Sequence, residues 1–448
     1  MTGYRAMTGA GIALGLYRGI ARIGAPLVAR HLDRRRRQGR EHDSRWPERL
    51  GHAGLPRPDG RLIWLHGASV GESLSLLPLI DRLRAAIPAT SGPATSFLVT
   101  TGTVTSARLM ADRLAPGALH QFAPVDTPQA VDRFLNHWRP DAALFVESEI
   151  WPNLLDGLDR RHIPRALVNA RMSATSARRW AAMPGLARRL IGGFRPLLAQ
   201  DDDSAARFQA VLGRPVAAPG NLKDAADPLP ADPAALNALT TAIAGRPVWL
   251  AASTHPGEEA LVLAAALRLR ATYPDLLTVI VPRHPERGAA IAAEAEAAGF
   301  TVTRRATGAL PDAATTLYLA DTLGELGVFF RAIAITFIGG SLVPVGGHNL
   351  LEPARLDAAI LTGPHLGNFT SLAARFRAAG AMLVVADAAG LADAVARLLA
   401  DPAARSDLAA AAGSVAAEGS AGLARIVAAV LPLVDPATAA PAASGEVS

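Results

Sequence analysis

The feature that most constrains the fold is an alternation of short apolar runs with helical patterns, which occurs in two successive blocks. The apolar runs are continuous rather than alternating, as expected for strands that are covered on both faces. A break rich in proline, alanine and aspartate, residues 218–238, separates the blocks, and 448 residues exceed the usual size of one core. The sequence therefore predicts an α/β fold with two Rossmann-like parallel-sheet domains facing a central cleft.

The same pattern gives ranges for domains and strands. We expect a basic segment at residues 1–50, domains at 51–225 and 226–433, and a disordered tail at 434–448, whose composition cannot form a core. The predicted strands are residues 62–65, 96–100, 142–146, 166–169 and 196–200 in the first domain, and 247–253, 276–282, 316–321, 334–340, 358–363 and 382–387 in the second.

The charge of the chain is concentrated at its N-terminus. Residues 1–50 hold 11 arginines and 4 acidic residues, a net charge of +7, so the rest of the +6 chain carries a charge of −1. A neutral body argues against a nucleic-acid partner, because such proteins usually carry their basic stripe on the folded domain. The absence of cysteine excludes disulfides, zinc-thiolate sites and a thiol nucleophile.

Within this basic segment, apolar residues recur on one side of a predicted helix. Its longest charge-free run, residues 6–17, is too short to span a bilayer, and neither a transmembrane helix nor a cleaved signal is predicted. An apolar face followed by the basic cluster 34–37 is typical of a helix lying in an anionic membrane interface. The alternative is a helix whose apolar face packs on the protein's own core. The apolar face comprises Ile12, Leu16, Ile20, Ile23 and Leu27, with Arg18 and Arg22 nearly opposite.

In the first domain, carboxylates stand where ligands bind in open α/β sheets, at the carboxyl ends of strands. Ser69-x-x-Glu72 begins a helix after the first strand, which indicates either a capping box or a catalytic base. Glu147 and Glu149 follow a later strand directly. Asp201 begins a run of three aspartates, which we interpret as a helix N-cap with acidic residues in the first turn rather than as a metal site.

Further along, basic and glycine-rich segments follow strands. Residues 169–180 place three arginines in a polar loop that could bind a phosphorylated group or simply form a basic helix face. Arg283, at the end of a strand in the second domain, is suited to a phosphate. The glycine-rich segment 338–356 contains Asn349 and Glu352, and its Glu352 carboxylate could accept hydrogen bonds from ribose hydroxyls. Because this loop lacks the dinucleotide and P-loop patterns, it does not indicate a dehydrogenase or an ATPase.

Taken together, these segments resemble the 3-deoxy-D-manno-octulosonic acid (Kdo) transferases of lipopolysaccharide synthesis. The resemblance extends in order over roughly residues 45 to 370. It rests on RWPERLG (45–51), HGASVGE (66–72), ESEIWPNL (147–154), NARMS (169–173), GNLK (220–223), PRHPER (282–287), DTLGEL (321–326) and GGHNLLEP (346–353).

The resemblance implies an inverting enzyme of the glycosyltransferase B fold, with CMP-Kdo as donor. It implies as acceptor a lipid A precursor at the cytoplasmic face of the inner membrane, bound by domain 51–225, whereas domain 226–433 binds the donor. No metal or other cofactor is implied. By position, Glu72 matches the general base, and Glu149 and Lys223 match residues that support the transition state. The positions that match CMP-binding residues are Pro282, Arg283, Leu323, Gly324, Glu325, Asn349, Leu350, Leu351 and Glu352.

Two other functions remain open from the sequence alone. The first is another nucleotide-sugar glycosyltransferase or epimerase of the same fold, which would use a UDP-sugar and dispense with a base at Glu72 or with the PRHPER segment. The second is a membrane-bound nucleotide sensor, which would bind CMP without turnover.

Overall fold

The computed structural model of the chain describes residues 2–88, 94–225, 227–243 and 245–438, with side chains from residue 10 onward. The chain divides into two compact units. The first unit holds Met1–Ala226 together with Gly419–Ser448, and the second holds Asp227–Glu418. Each unit is built around its own parallel β-sheet, so the predicted α/β class with two parallel-sheet domains is confirmed.

The first unit contains a six-stranded sheet with the order β3-β2-β1-β4-β5-β6, and all neighbouring strands are parallel. Each strand predicted for this unit is present. The third strand was not predicted, because its polar residues His120 and Gln121 interrupt the apolar run. The strands are β1 (Arg61–His66), β2 (Thr95–Thr101), β3 (Ala118–Phe122), β4 (Ala142–Val146), β5 (Arg165–Ala170) and β6 (Leu197–Ala199).

The second unit contains a seven-stranded parallel sheet with the order β13-β12-β11-β7-β8-β10-β9. Its predicted strands are all present, and the short strand at the sheet edge next to β10 was missed because it is only partly buried. The strands are β7 (Val248–Thr254), β8 (Leu277–Pro282), β9 (Val302–Arg304), β10 (Leu317–Leu319), β11 (Ile335–Ile338), β12 (Ala359–Thr362) and β13 (Leu383–Val384).

Helices cover both faces of each sheet. In β1, Leu62 and Trp64 join the apolar cluster on one face, whereas Ile63 and Leu65 join the cluster on the other. Burial on both faces explains why the strands read as continuous apolar runs. The helices of the first unit are α1 (Thr2–Arg37), α2 (Val70–Ala86), α3 (Val104–Arg113), α4 (Pro128–Trp138), α5 (Pro152–Arg160), α6 (Ala174–Ala181), α7 (Pro184–Leu190) and α8 (Asp202–Leu212).

Capping side chains fix where several helices begin. Ser69, Thr103 and Asp201 each accept a hydrogen bond from the backbone N–H three residues later, which satisfies a donor that the helix itself leaves free. The predicted role of Asp201 as an N-cap is confirmed. The helices that follow α8 are α9 (Pro233–Ile243), α10 (Glu258–Arg270), α11 (Gly288–Ala297), α12 (Leu326–Ala332), α13 (Leu351–Ala354), α14 (Thr370–Ala378), α15 (Ala388–Ala400) and α16 (Pro402–Val434).

The N-terminal helix α1 is continuous and packs on the first unit. Leu14 and Leu32 are buried, Arg18 forms a salt bridge with Asp156, and the Tyr17 hydroxyl donates to Asp126. The alternative in which the apolar face packs on the protein's own core is wrong, because that face is exposed. The exposed fractions are 72% for Ile12, 65% for Leu16, 64% for Ile20, 81% for Ile23 and 71% for Leu27.

The C-terminal part of the chain was assigned wrongly from the sequence. Residues 419–433 were placed in the second domain, but α16 leaves that unit and ends in the first. There Ile426 and Val430 join the same apolar cluster as β1, and buried Asp435 accepts a hydrogen bond from Arg61 at 2.8 Å. Residues 434–438 of the predicted disordered tail are thus ordered, and 439–448 lie outside the described residues.

Two helices are long and apolar enough to cross a membrane, judged by length and composition alone. They are Ala10–Arg37 and Pro402–Val434. Only 6% of the most apolar 18-residue stretch is buried in the first helix, whereas 33% of the corresponding stretch is buried in the second. A core helix or a signal sequence satisfies the same criterion, so the exposed apolar face of α1 is the more informative observation.

Candidate active site

The first unit brings two predicted functional segments to one point of its sheet. The order of connection reverses between β1 and β4, which are neighbours, and ligands bind in α/β sheets at such a switch point. His66 ends β1, and Glu147 and Glu149 follow β4. The side chains of both segments therefore meet at the carboxyl edge of the sheet.

Glu72 occupies the first turn of α2 and forms a variant of the predicted capping box, in which its carboxylate reaches the N–H of Ala68 instead of that of the N-cap Ser69. Its Oε2 accepts from the backbone N–H of Ala68 at 2.7 Å, and its Oε1 accepts from the Ser69 hydroxyl at 2.7 Å. Ser69 Oγ in turn accepts from the N–H of Glu72 at 3.3 Å. The capping role predicted for this residue is confirmed. Because a carboxylate offers about four lone-pair positions, these two bonds leave acceptor capacity on both oxygens.

Glu149 stands at the end of a chain of buried polar groups. Trp64 Nε1 donates to Thr100 Oγ1 at 2.8 Å, and this hydroxyl lies 2.9 Å from His66 Nδ1. His66 Nε2 lies 3.1 Å from Glu149 Oε2, to which Trp151 Nε1 also donates at 2.5 Å. Burial would raise the pKa of Glu149, but the hydrogen bonds from His66 and Trp151 outweigh burial and lower that pKa. The environment thus favours the carboxylate form.

Lys223 reaches the same edge from a short 3₁₀ helix, Leu222–Ala225. Asn169 Oδ1, at the end of β5, accepts from the N–H of Leu222 at 2.9 Å and so holds this segment against the sheet. Lys223 Nζ then donates to Glu147 Oε1 at 2.6 Å, and a Cβ placed on Gly71 would lie 3.8 Å from Nζ. A half-exposed ammonium group is therefore positioned beside the first turn of α2, where Glu72 lies.

The second unit has an equivalent switch point between β7 and β11. His255 follows β7, Arg283 follows β8, and the glycine-rich loop 339–350 follows β11. Buried Glu258 holds that loop, since its carboxylate accepts from the backbone N–H groups of Gly340, Ser341 and Leu342 at 2.5 to 2.9 Å. The Glu258 carboxylate thus fixes the first residues of this loop.

The remaining predicted CMP-binding residues lie on the loops after β10 and β11. Glu325 pairs with Arg305, and this hydrogen bond, together with others, lowers the pKa of Glu325. Asn349 precedes α13 rather than lying within it, and its Nδ2 donates to Glu352 Oε1 at 3.3 Å. Burial raises the pKa of Glu352 despite that bond and the nearby charge of Arg283. Leu323 is 81% exposed and free to contact a ligand.

The structure thus brings Glu72, Glu149 and Lys223 together at the edge of the first sheet, and Arg283, Asn349 and Glu352 together at the edge of the second. The segment 169–180 is not mainly a loop, because it runs from the end of β5 into α6, which Ser173 caps. Its three arginines, Arg171, Arg178 and Arg179, are exposed. Sequence reasoning missed two sets of residues. They are the groups that hold Glu149, namely Trp64, Thr100, His66 and Trp151, and the contact between His255 and His348.

Comparison with known proteins decides the family. The family model described as 3-deoxy-D-manno-octulosonic-acid transferase (kdotransferase) matches residues 44–226. A probable mitochondrial 3-deoxy-D-manno-octulosonic acid transferase of Arabidopsis thaliana is 36% identical over 401 residues, which cover 86% of this chain and 88% of that protein. This chain belongs to the Kdo transferase family. The Kdo transferase of Bordetella pertussis is 35% identical, with 87% and 92% of the two chains covered.

The fold of this Kdo transferase family member also agrees with solved structures. A glycosyltransferase from Rickettsia africae superposes with a TM-score of 0.51 over 84% of this chain and 99% of the other, at 9% identity. Such a distant likeness shows the fold alone, which is the predicted glycosyltransferase B fold. An epimerase or another glycosyltransferase is not favoured, because the relatives that cover most of the chain at above one-third identity are Kdo transferases.

Proposed function

We propose that this protein transfers Kdo from CMP-Kdo to a lipid A precursor, with inversion at the anomeric carbon. The observation that carries the proposal is the extent of identity to Kdo transferases, which spans the functional clusters of both units. Each cluster also has a chemical composition that suits its half of the reaction. The first offers carboxylates and an ammonium group, and the second offers cationic groups and a ribose-binding carboxylate.

We assign Glu72 as the general base. Inversion is a single displacement, so one group must take the proton of the acceptor hydroxyl as that oxygen attacks the anomeric carbon. The start of a helix favours negative charge, and the capping bonds from Ala68 and Ser69 hold the carboxylate in place while leaving it lone pairs. The capping box and the catalytic role are therefore compatible.

Glu149 and Lys223 support the transition state in this proposal. Positive charge develops on the sugar ring as the bond to CMP breaks, and a carboxylate held by His66 and Trp151 would stabilise that charge without having to reorganise. Lys223, already neutralised in part by Glu147, would stabilise negative charge on the Kdo carboxylate or on the leaving phosphate.

The second unit would hold the donor without a metal. CMP carries one phosphate, so its departure does not require a divalent cation that bridges a pyrophosphate. The exposed guanidinium of Arg283 would neutralise the phosphate, and Glu352 would accept from the ribose. Chelation by EDTA should leave the rate of transfer unchanged, and loss of activity that returns with added Mg²⁺ would contradict this part of the proposal.

We further propose that the protein acts at the cytoplasmic face of the inner membrane, with α1 lying in the lipid interface. The apolar face defined by Ile12, Leu16, Ile20, Ile23 and Leu27 is exposed, whereas the opposite side packs on the first unit through Leu14, Arg18 and Leu32. Arg30 and Arg34 are exposed along the same helix and would contact anionic head groups.

The test is transfer of Kdo to a lipid A precursor by the wild type and by Glu72→Gln. Glutamine preserves a capping box but cannot act as a base, so we expect transfer to fall at least about 100-fold with CMP affinity unchanged. The matched control is Thr103→Ala, which removes the capping hydroxyl of α3 and leaves the hydrogen bonds of Glu72 unchanged, and which should retain most of the activity. Full activity of Glu72→Gln would remove this residue from the mechanism, and CMP binding without any turnover by the wild type would indicate a nucleotide sensor.

A further inference from the structure

Two histidines of the second unit form a direct contact across its switch point. His255 Nε2 and His348 Nε2 lie 2.8 Å apart, and the two rings are nearly parallel, at 14°, with centroids separated by 5.1 Å. His255 follows β7 and His348 lies in the loop after β11, so the pair bridges the two strands between which the chain reverses its order. This is the position at which α/β sheets bind ligands.

The contact restricts how many protons the pair can hold. A hydrogen bond between two Nε2 atoms needs one donor and one acceptor, so the two rings share a single proton at these positions. If both rings were protonated at Nε2, two N–H groups would point at each other. At the two Nε2 atoms a further proton can therefore enter only when the contact opens, whereas with the contact closed it can add only at Nδ1 of the donating ring.

The charges around the pair favour an anion. Arg283 is exposed, and its guanidinium has no hydrogen-bond or salt-bridge partner in the part of the chain that the structure describes. His284 packs edge-on against His255, with ring centroids 5.7 Å apart. Burial, and after it the neighbouring histidines and Arg283, lower the pKa of His348 to about 4, so this ring is neutral at physiological pH. Burial also lowers the pKa of His255.

The nearby carboxylates are engaged and do not supply that anion. Glu258 accepts from four backbone N–H groups, three of them in the glycine-rich loop and one from His255 itself. Glu259 is paired with Arg287 at 2.7 Å, and Glu286 lies 3.4 Å from His284 at an exposed position. Among the described residues there is also no group of three acidic or histidine side chains suited to a metal. An anionic ligand fits the site better than a cation.

We propose that the His255–His348 pair is a proton-accepting part of the donor site, which opens when an anionic group of the donor binds beside Arg283. Opening frees Nε2 of the accepting ring, which takes a proton from solvent at that atom and donates the new N–H to an anionic oxygen. The imidazolium formed in this way is the second positive charge, beside Arg283, that stabilises the bound anion. The proposal rests on the assignment of CMP-Kdo as donor. The anionic oxygen belongs either to the phosphate or to the sugar carboxylate, since both present the same chemistry.

Space around the pair agrees with a fixed resting contact. A Cβ on Gly340, whose φ is +66°, would lie 3.1 Å from His348 Cδ2 and 3.3 Å from His255 Cδ2. Glycine at this position lets the loop backbone approach both rings closely. The loop is held by Glu258, so opening of the pair requires rotation of an imidazole rather than movement of the loop.

The experiment is isothermal titration with CMP at several pH values and in buffers of different ionisation enthalpy. The wild type is compared with His348→Gln and His255→Gln, and His365→Gln serves as the control because its exposed imidazole lies in the same unit. The phosphate of CMP itself takes up protons near pH 6, but it does so with every protein, so only the difference between proteins belongs to the pair. Cytidine, which lacks an anionic group, and CMP-Kdo are titrated in parallel.

We expect the wild type and the control to take up about one more proton per CMP than the two pair variants. Between pH 5.5 and 7.5 the CMP Kd of the wild type should rise at least about tenfold more than that of His348→Gln. Cytidine should show no such difference, and a difference seen only with CMP-Kdo would assign the contact to the sugar carboxylate.

The proposal would be overturned if all four proteins showed equal proton uptake and equal pH dependence of Kd, both with CMP and with CMP-Kdo. The donor assignment would remain intact in that case. If the wild type bound neither CMP nor CMP-Kdo, both the proposal about the histidine pair and the donor assignment would be overturned. Circular dichroism melting identifies a variant that is unfolded. In that event, titration of the wild-type imidazole signals by NMR decides the question, because the signals of His255 or His348 should shift towards the protonated form when CMP is added at pH 6.5 and otherwise should not.

Discussion

Replacing Ile20 and Ile23 with glutamine should sharply weaken binding of the protein to anionic lipid vesicles. The side chains are 64% and 81% exposed on the free face of α1. Full burial of an isoleucine side chain is worth about 1.5–3 kcal/mol, so the exposed fractions correspond to about 2–4 kcal/mol for the two together. We therefore expect the partition coefficient to fall by roughly 30- to 1000-fold.

The assay is co-sedimentation with vesicles that contain anionic phospholipid, at low and at high salt. The matched control is Leu267→Gln, because Leu267 is 44% exposed on α10 of the second unit and should not affect binding. High salt should weaken the wild type, since Arg30 and Arg34 contribute electrostatic attraction that salt screens. If the double variant bound vesicles as tightly as the wild type, α1 would not lie in the interface.

Three further changes test particular contacts. His66→Asn removes the imidazole ring beside Glu149. We expect kcat to fall by roughly 10- to 100-fold with CMP affinity unchanged, because a charge-assisted hydrogen bond is worth about 1.5–3 kcal/mol. A kcat equal to that of the wild type would show that His66 does not position the carboxylate. Glu258→Gln places an amide among four backbone N–H groups and should destabilise the protein by about 2–3 kcal/mol in urea unfolding, whereas Glu294→Gln, on the surface of α11, should not. Burial and then Arg45 lower the pKa of His120 to about 3, below its unfolded value of about 6.5, so the unfolded chain binds more protons and the stability falls as the pH drops from about 6.5 towards 3. His120→Gln should remove up to about 2 kcal/mol of this loss of stability at pH 5. An unchanged pH profile of unfolding would contradict the neutral state of His120.

The sequence was informative where a local pattern has one structural solution. Continuous apolar runs such as 142–146 can only be satisfied by burial on both faces, and they became central strands. The Ser69–Glu72 spacing formed a capping box because both partners lie within one helical turn. The helical period also placed Ile20 and Ile23 on one face of α1, although period alone could not say whether that face is covered.

Other features depend on contacts between residues that are distant in the sequence. His66 and Glu149 are 83 positions apart, and His255 and His348 are 93 apart, so no spacing rule connects them. The return of α16 to the first unit depends on the fit of Ile426 against a sheet formed some 360 residues earlier. A partial signal for these contacts was nevertheless present, because His66 directly follows a predicted strand, His255 lies two residues after one, and His348 lies in the glycine-rich segment that follows a third.

The sequence by itself determined eleven of the thirteen strands that the structure describes, the starts of α2 and α8, and the family of this protein, since these follow from periodicity, capping and ordered motifs. Only the tertiary structure decided which side of α1 is free, what holds Glu149, and that two imidazoles share one proton. The physical reason is that local patterns fix the backbone, whereas the environment of a side chain is set by whichever strands the sheet topology makes neighbours.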